Sequence, residues 1–255
     1  MKRTHLAVTV LALLIAAAAA APLLAPYPPD RLDLAHRRDR PSSAHWFGTD
    51  DLGRDVLARV LHGARVSLAV GLLSAAVAGA LGVAIGGTAG YAGGTLDSVL
   101  MRTTDAMLAV PRLPLLMIAA AVLQPSVPMI VLLIGMAGWM ETARVVRAEF
   151  LSLRTRDFVD AARAAGAGHV RVVAGHLLPN AAHAVAVSVT LAVARGILLE
   201  SALSFFGVGV RPPEASWGNM LYQAQSTLAT EPWLALFPGM FILVTTLAVN
   251  ASAES

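Results

Sequence analysis

The sequence predicts an all-α membrane protein, a polytopic helical bundle of about six transmembrane helices. Three observations support this fold class. Only 14% of the 255 residues are charged, whereas a soluble domain of this size carries roughly 25% charged residues. Hydrophobic residues make up 56% of the chain. They also gather in runs of roughly 20 residues, which is the length of helix that crosses about 30 Å of hydrocarbon.

Six apolar segments are long enough to be spans, and each must satisfy its backbone hydrogen bonds internally in lipid, which predicts a helix. They are residues 6–25, 66–90, 106–124, 127–147, 181–203 and 234–250. The last segment is short and contains Pro238. The first has an alternative interpretation, because a basic start, an apolar stretch and small residues are also typical of a signal peptide. Its apolar run is long for a signal peptide, which favours an uncleaved span.

The spans divide the chain into three parts. Residues 1–65 hold the first span and an external segment, residues 66–250 hold the other five spans, and residues 251–255 form a short tail. Lys and Arg are slightly more numerous in the segments that a cytoplasmic N-terminus would place inside. By the positive-inside rule, this predicts a cytoplasmic N-terminus.

The external segment contains a polar cluster formed by His45, Asp50, Asp51 and Asp55. A structural or docking role is favoured over a metal site, because Thr49 or Asp50 is well placed to cap a short helix that follows. One face of that helix is apolar and consists of Val56, Leu57, Val60 and Leu61. Such an amphipathic helix is predicted to lie along the outer membrane interface, with its arginines turned away from the apolar face.

The second span is rich in small residues, and Gly82 and Gly86 lie four positions apart. Small residues let helix backbones approach closely in lipid. The sequence leaves open whether this stripe packs within the chain or against a second subunit.

Arg195 lies near the middle of the fifth predicted span, where insertion of an arginine costs roughly 2.5–3.5 kcal/mol. Such a residue is expected to face the bundle interior or a water-filled path. Glu200 is five positions further on, about 140° around the helix, so the two are not expected to pair. Arg195 and Glu200 are therefore candidate pathway-lining residues. The alternative is that they are buried in ion pairs with a second subunit.

Composition also excludes several kinds of chemistry. The chain has no cysteine, so it offers neither a disulfide nor a thiolate ligand. Its only lysine is Lys2, so it contains no phosphate-binding loop of the G-x-x-x-x-G-K-[ST] type. No H-E-x-x-H or G-x-S-x-G pattern is present, which argues against metal-dependent or serine hydrolase chemistry. The net charge of +3 is too small to predict nucleic-acid binding.

Residues 156–180 form a polar segment between the fourth and fifth spans. RDFVDAARAA predicts a helix with charged residues on one face and alanines on the other. Gly166 and Gly168 are suited to end this helix, and a second helical piece, HVRVVAGHLL, leads to Pro179. The segment is either an amphipathic connector on the membrane surface or a helix that fits a groove on another protein.

The spacing within this segment resembles the EAA loop of the permease subunits of ABC importers. The family pattern is E-A-A-x3-G-x9-I-x-L-P, and the matching residues are Asp160, Ala161, Ala162, Gly166, His176, Leu178 and Pro179. Asp160 replaces the family's glutamate and His176 replaces its isoleucine.

Four longer stretches resemble the dipeptide, oligopeptide and nickel importer permeases. They are HWFGTDDLGRDVLARVLHGARVSL (45–68), YAGGTLDSVLMRTTDAML (91–108), GWMETARVVRAEFLSLRTRDFVDAARAAGA (138–167) and ESALSFFGVGVRPPEASWGNML (200–221). The resemblance therefore extends in order over nearly the whole chain. Family members continue past the last span into a polar tail, whereas this sequence stops at VNASAES. Either the sixth span is incomplete or it packs differently.

The resemblance implies a type I importer permease in the inner membrane, with a cytoplasmic N-terminus and a cytoplasmic EAA loop. It implies four kinds of partner: a second permease subunit in a homodimer or heterodimer, two cytoplasmic ATPase subunits, an extracytoplasmic solute-binding protein, and membrane lipid. ATP and magnesium would bind to the ATPases, so no cofactor and no catalytic residue are expected in this chain. The implied substrates are dipeptides, oligopeptides, nickel or nickel chelates. The alternative function is an ATP-independent channel or secondary carrier, which would work without such partners.

Overall fold

The computed structural model describes residues 2–123 and 126–253, and in this part of the chain every regular element is helical. The α-helices are α1 (Lys2–Ala19), α2 (Ala21–Leu24), α3 (Val56–Ala92), α4 (Gly94–Leu108), α5 (Arg112–Leu123), α6 (Val127–Met136), α7 (Trp139–Leu153), α8 (Asp157–Ala164), α9 (His169–Val172), α10 (Leu178–Phe205), α11 (Trp217–Ala224) and α12 (Trp233–Ala253). A π-helical turn, Val173–Leu177, joins α9 to α10.

Three helices are long and apolar enough to cross a membrane: Val56–Ala92, His169–Phe205 and Trp233–Ala253. Two further pairs qualify if each bent pair counts as one span, namely α4 with α5 at an angle of 80° and α6 with α7 at 42°. By length and composition the described residues therefore hold three to five candidate spans. The prediction of an all-α membrane bundle is confirmed, although this count is below the six that the sequence suggests.

The difference from six spans arises at α1. Its apolar part, Thr4–Ala19, is shorter than the three long helices. The helix packs against α12 and α3, with Ala7 and Ala18 buried. Whether this segment is cleaved stays a prediction.

The prediction of a separate interfacial helix before the second span is wrong. The helix begins at Val56 and continues without a break to Ala92, and its cap is Asp55, which accepts a 2.8 Å hydrogen bond from the amide of Ala58. Arg59 is only 1% exposed and pairs with Asp30 at 3.3 Å. Because the preceding segment folds over this end of α3, the charged face is buried instead of facing solvent.

The third and fourth predicted spans each contain a break. Residues 106–124 include the turn between α4 and α5 at Pro111, and residue 124 lies outside the described residues. A proline disfavours helical conformation in the residue before it and lacks an N–H donor, which accounts for a helix ending here. Residues 127–147 include the bend at Gly138 between α6 and α7.

The packing of α3 against α7 forms the centre of the bundle. A Cβ atom on Gly86 would lie 2.2 Å from the carbonyl oxygen of Ala143, and one on Gly82 would lie 2.6 Å from Cβ of Thr142. The small residues of α3 therefore serve packing within the chain at these two positions. At the other end of the chain, α12 includes residues 251–253 of the predicted tail, while 254 and 255 lie outside the described residues.

Candidate functional site

The polar segment is fixed to the bundle by buried apolar side chains. Val159, Val172 and Leu177 are fully buried and pack with Phe150 of α7 in one apolar cluster. Through Val159 this anchoring places α8 beside Phe150 of α7 and Tyr91 at the end of α3. The segment is therefore a docked element of the bundle.

Polar contacts also tie the segment to the end of α3. The hydroxyl of Tyr91 lies 2.6 Å from Nδ1 of His169, and the guanidinium carbon of Arg163 lies 5.9 Å from the centre of the Tyr91 ring. Nearby, Arg154 donates to the carbonyl oxygens of Gly90 and Tyr91 at 3.2 and 3.4 Å. The contacts of His169 and Arg163 with Tyr91 connect the polar segment directly to α3.

The residues that match the EAA pattern lie mainly on the outer surface of this docked element. Asp160, Ala161 and Gly166 are exposed, and Ala162 is half-buried. Asp160 pairs with Arg163 at 3.4 Å, as the spacing predicts, but both side chains are largely exposed. Exposed pairs of this kind contribute only about 0–1 kcal/mol, so Asp160 is free to interact with a partner.

Gly166 forms the sharp turn between α8 and α9. Its φ is +86°, which is the left-handed region that glycine adopts readily. Its amide donates a 2.9 Å hydrogen bond to the carbonyl of Arg163. Gly168 is different, because its φ is −70° and it begins α9 instead of ending α8.

The sequence predicts that the helix after the turn ends at Pro179, and this prediction is wrong. His169–Phe205 is one continuous 37-residue helix, and the π turn gives the proline ring room that a regular α-helix lacks. His176 lies in this turn, with its ring 6.5 Å from the ring of Phe158. Leu178 and Pro179 form the first turn of α10, so the polar segment is continuous with a candidate membrane span.

Arg195 forms part of a second polar feature, within the bundle. Its Nη1 lies 3.2 Å from Glu141, and Nη2 of Arg112 lies 2.7 Å from the other carboxylate oxygen of Glu141. We call these three residues the charge cluster. Glu141 is the only acidic residue of the predicted span 127–147, which also contains Arg144 and Arg147. That was the one sequence feature by which it could have been identified.

Glu200 lies elsewhere and does not contact Arg195. It is fully buried and accepts hydrogen bonds from Ser67 at 3.0 Å and Ser204 at 2.8 Å. Ser67 in turn accepts a bond from the amide of Trp217 at 3.2 Å. Glu200 therefore joins α3, α10 and α11 in the packed interior and does not line a cavity shared with Arg195.

The polar cluster of the 26–55 region is held together by ion pairs within the chain. Asp55 pairs with His45 at 2.8 Å and Asp50 pairs with Arg54 at 2.6 Å. Among the described residues, no group of three His, Asp or Glu side chains is arranged to hold a metal ion.

Comparison with known proteins places this architecture in a family. A sequence profile described as the binding-protein-dependent transport system inner membrane component matches residues 82–254, which include the whole polar segment. A putative peptide permease protein of Brucella suis biovar 1 is 41% identical over 231 residues, covering 90% of this chain and 76% of that protein. A putative peptide transport system permease protein of the same organism is 38% identical over 246 residues, covering 96% and 83%.

The dipeptide transport system permease protein DppC of Bacillus subtilis is 37% identical over 258 residues, covering 100% of this chain and 81% of that protein. The names of these three relatives refer to peptides, and nickel stays an untested prediction. The profile and the relatives confirm the resemblance to importer permeases that the motifs indicate. The chain belongs to the family of binding-protein-dependent transport system inner membrane components.

Proposed function

We propose that this chain is the transmembrane permease subunit of an ATP-driven, binding-protein-dependent importer of peptides. It forms part of the translocation pathway with a second permease subunit and has no enzymatic role. Two separate ATPase subunits hydrolyse ATP, and an extracytoplasmic binding protein delivers the substrate. The N-terminus and the polar segment are then cytoplasmic. The peptide-related names of three relatives and the family's dependence on a binding protein support this assignment.

The observation that carries the proposal is that the polar segment is anchored by buried residues while the outer face of α8 stays exposed. Val159 anchors α8 in the apolar cluster that contains Phe150 of α7 and against which Tyr91 of α3 packs, while Asp160, Ala161 and Ala165 remain exposed. A short helix with small exposed side chains fits closely into a groove on another protein. Because α9 continues into α10, a displacement imposed by an ATPase would pass into the spans as a rigid-body movement.

Reconstitution tests this function directly. Proteoliposomes that contain both permease subunits are expected to accumulate labelled dipeptides or oligopeptides only with the ATPases, ATP and the binding protein. Uptake by the permease pair alone would contradict the proposal and favour an ATP-independent channel or carrier.

Charge reversal at Asp160 is expected to uncouple ATP hydrolysis from uptake. Asp160→Arg replaces an exposed carboxylate that we propose pairs with a basic group on the ATPase, at a cost of about 1 kcal/mol or slightly more. Peptide uptake should fall about fivefold to tenfold, while ATPase activity persists. Measurement of uptake and ATPase rates in the same proteoliposomes checks this.

Asp157→Arg is the matched control, because Asp157 is also exposed and also lies in the first turn of α8. Both reversals lose a similar favourable interaction with the helix dipole. Equal losses of uptake for the two variants would show that Asp160 has no specific partner contact.

A further inference from the structure

The charge cluster brings together side chains from three helices. Arg112 begins α5, Glu141 lies in the first turn of α7, and Arg195 lies in α10. Both arginines pair with the single carboxylate of Glu141, at 2.7 and 3.2 Å. The Nε of Arg195 also donates to the carbonyl of Leu191 in its own helix, at 3.3 Å.

The cluster carries a surplus positive charge. Two guanidinium groups share one carboxylate, and each guanidinium has five N–H donors, so donors outnumber the acceptors that the cluster supplies. Among the described residues, the ion pairs of both arginines go to Glu141 alone. The cluster can therefore accept a further anionic group.

The cluster lies against the middle of α3. Arg195 and Glu141 line a cavity of about 20 Å³ together with Ser74 and Ala75, which lie at the middle of the long helix α3. The side chains of Arg195 and Glu141 are nevertheless 36% and 35% exposed. Charged groups near the bilayer centre face a polar path or a protein interior, and an exposed edge of this kind suits the translocation pathway.

We propose that Arg195, assisted by Arg112, binds the carboxylate groups of the peptide as it crosses the membrane. This inference rests on the proposed function, since an unmodified peptide carries a C-terminal carboxylate. The planar fork of an arginine matches a carboxylate in a bidentate manner. Glu141 is the counterion at rest, and the incoming carboxylate replaces it at Arg195. When Glu141 pairs with Arg195 again, the peptide is released.

The absence of native cysteine allows a direct test in the intact transporter. Leu199→Cys places a thiol in the same cavity, one helical turn from Arg195, and Ala192→Cys is a second reporter on the other side. Each is treated with anionic methanethiosulfonate ethylsulfonate and with its cationic trimethylammonium counterpart, with and without ATP. Labelling of this chain is measured by mass. A surplus positive charge should favour the anionic reagent by about tenfold.

Arg195→Gln should abolish this preference, and Arg195→Lys should preserve it. Equal rates for the two reagents with Arg195 present, or no reaction at either cysteine in any nucleotide state, would overturn the proposal. Arg195→Gln should also lower uptake of a labelled dipeptide about tenfold, with Arg195→Lys retaining part of the uptake. If the unmodified transporter moves no peptide, the proposed function fails. If it moves peptide and Arg195→Gln changes nothing, only the carboxylate site fails.

Discussion

Gly166→Pro is expected to lower ATP-driven uptake at least tenfold while the protein still inserts into the membrane. The native φ of +86° is incompatible with proline, whose ring fixes φ near −65°. Strain of this kind costs about 1–3 kcal/mol. Proline also removes the N–H that bonds to the carbonyl of Arg163, which costs about 1 kcal/mol more. The turn would open, and α8 would no longer be held in its present orientation relative to α9.

Gly166→Asn is the matched control for this turn. Asparagine tolerates the left-handed region better than other residues that carry a Cβ atom. A Cβ atom at this position would meet no other atom within 4 Å, so the side chain itself does no harm. We expect uptake close to that of the unmodified protein. Near-normal uptake by Gly166→Pro, at equal membrane abundance, would remove the turn from the coupling mechanism.

Gly86→Val is expected to destabilise the whole bundle. A Cβ atom here would lie 2.2 Å from the carbonyl oxygen and 2.8 Å from Cα of Ala143. These are backbone atoms of α7, so no side-chain rotation relieves the clash and the two helices must separate. Overpacking typically costs 1–3 kcal/mol, and a backbone clash belongs at the upper end, about 3 kcal/mol. The midpoint of thermal unfolding in detergent should fall by about 6–12 °C.

Gly239→Val is the matched control, because it makes the same substitution at a helical position where the added side chain meets no close neighbour. The nearest atom to its added Cβ would be Cδ2 of Leu221, at 4.0 Å. Its unfolding midpoint should stay within a few degrees of the unmodified protein. If Gly86→Val unfolds at the same temperature as Gly239→Val, the close approach of α3 and α7 is not what holds the bundle together.

The helical bundle could be predicted from the sequence because each span is a continuous run of apolar residues, which is a local feature of the chain. It did not predict the break in the third span or the bend in the fourth, although Pro111 and Gly138 mark them. The burial of Arg59 could not be predicted, because its partner Asp30 lies far away in the chain. A local amphipathic pattern cannot distinguish a charged face in solvent from one covered by another segment.

The polar segment was predictable in outline because its turn depends on one residue type. Gly166 occupies the left-handed position that the spacing suggests. The continuation through Pro179 was missed, because proline usually ends a helix and the compensating π turn has no sequence pattern of its own. Arg195 was identifiable as a costly residue in a span, but its pairing with Glu141 and the presence of Arg112 depend on three helices meeting in space.

Cysteine crosslinking in the assembled transporter tests the central claim, that the polar segment transmits ATPase movement to the spans. Ala161→Cys places a reactive thiol on the exposed face of α8. The control is Ala44→Cys, at an exposed residue near the N-terminal end of α3. The two ends of α3 are about 55 Å apart, and the polar segment lies at the other end. With a short bifunctional reagent, Ala161→Cys should form a covalent product with an ATPase subunit, in a yield that changes with ATP, and Ala44→Cys should not. If Ala161→Cys reacts only with reagents from solvent or lipid and never forms a product with an ATPase subunit, the account is contradicted.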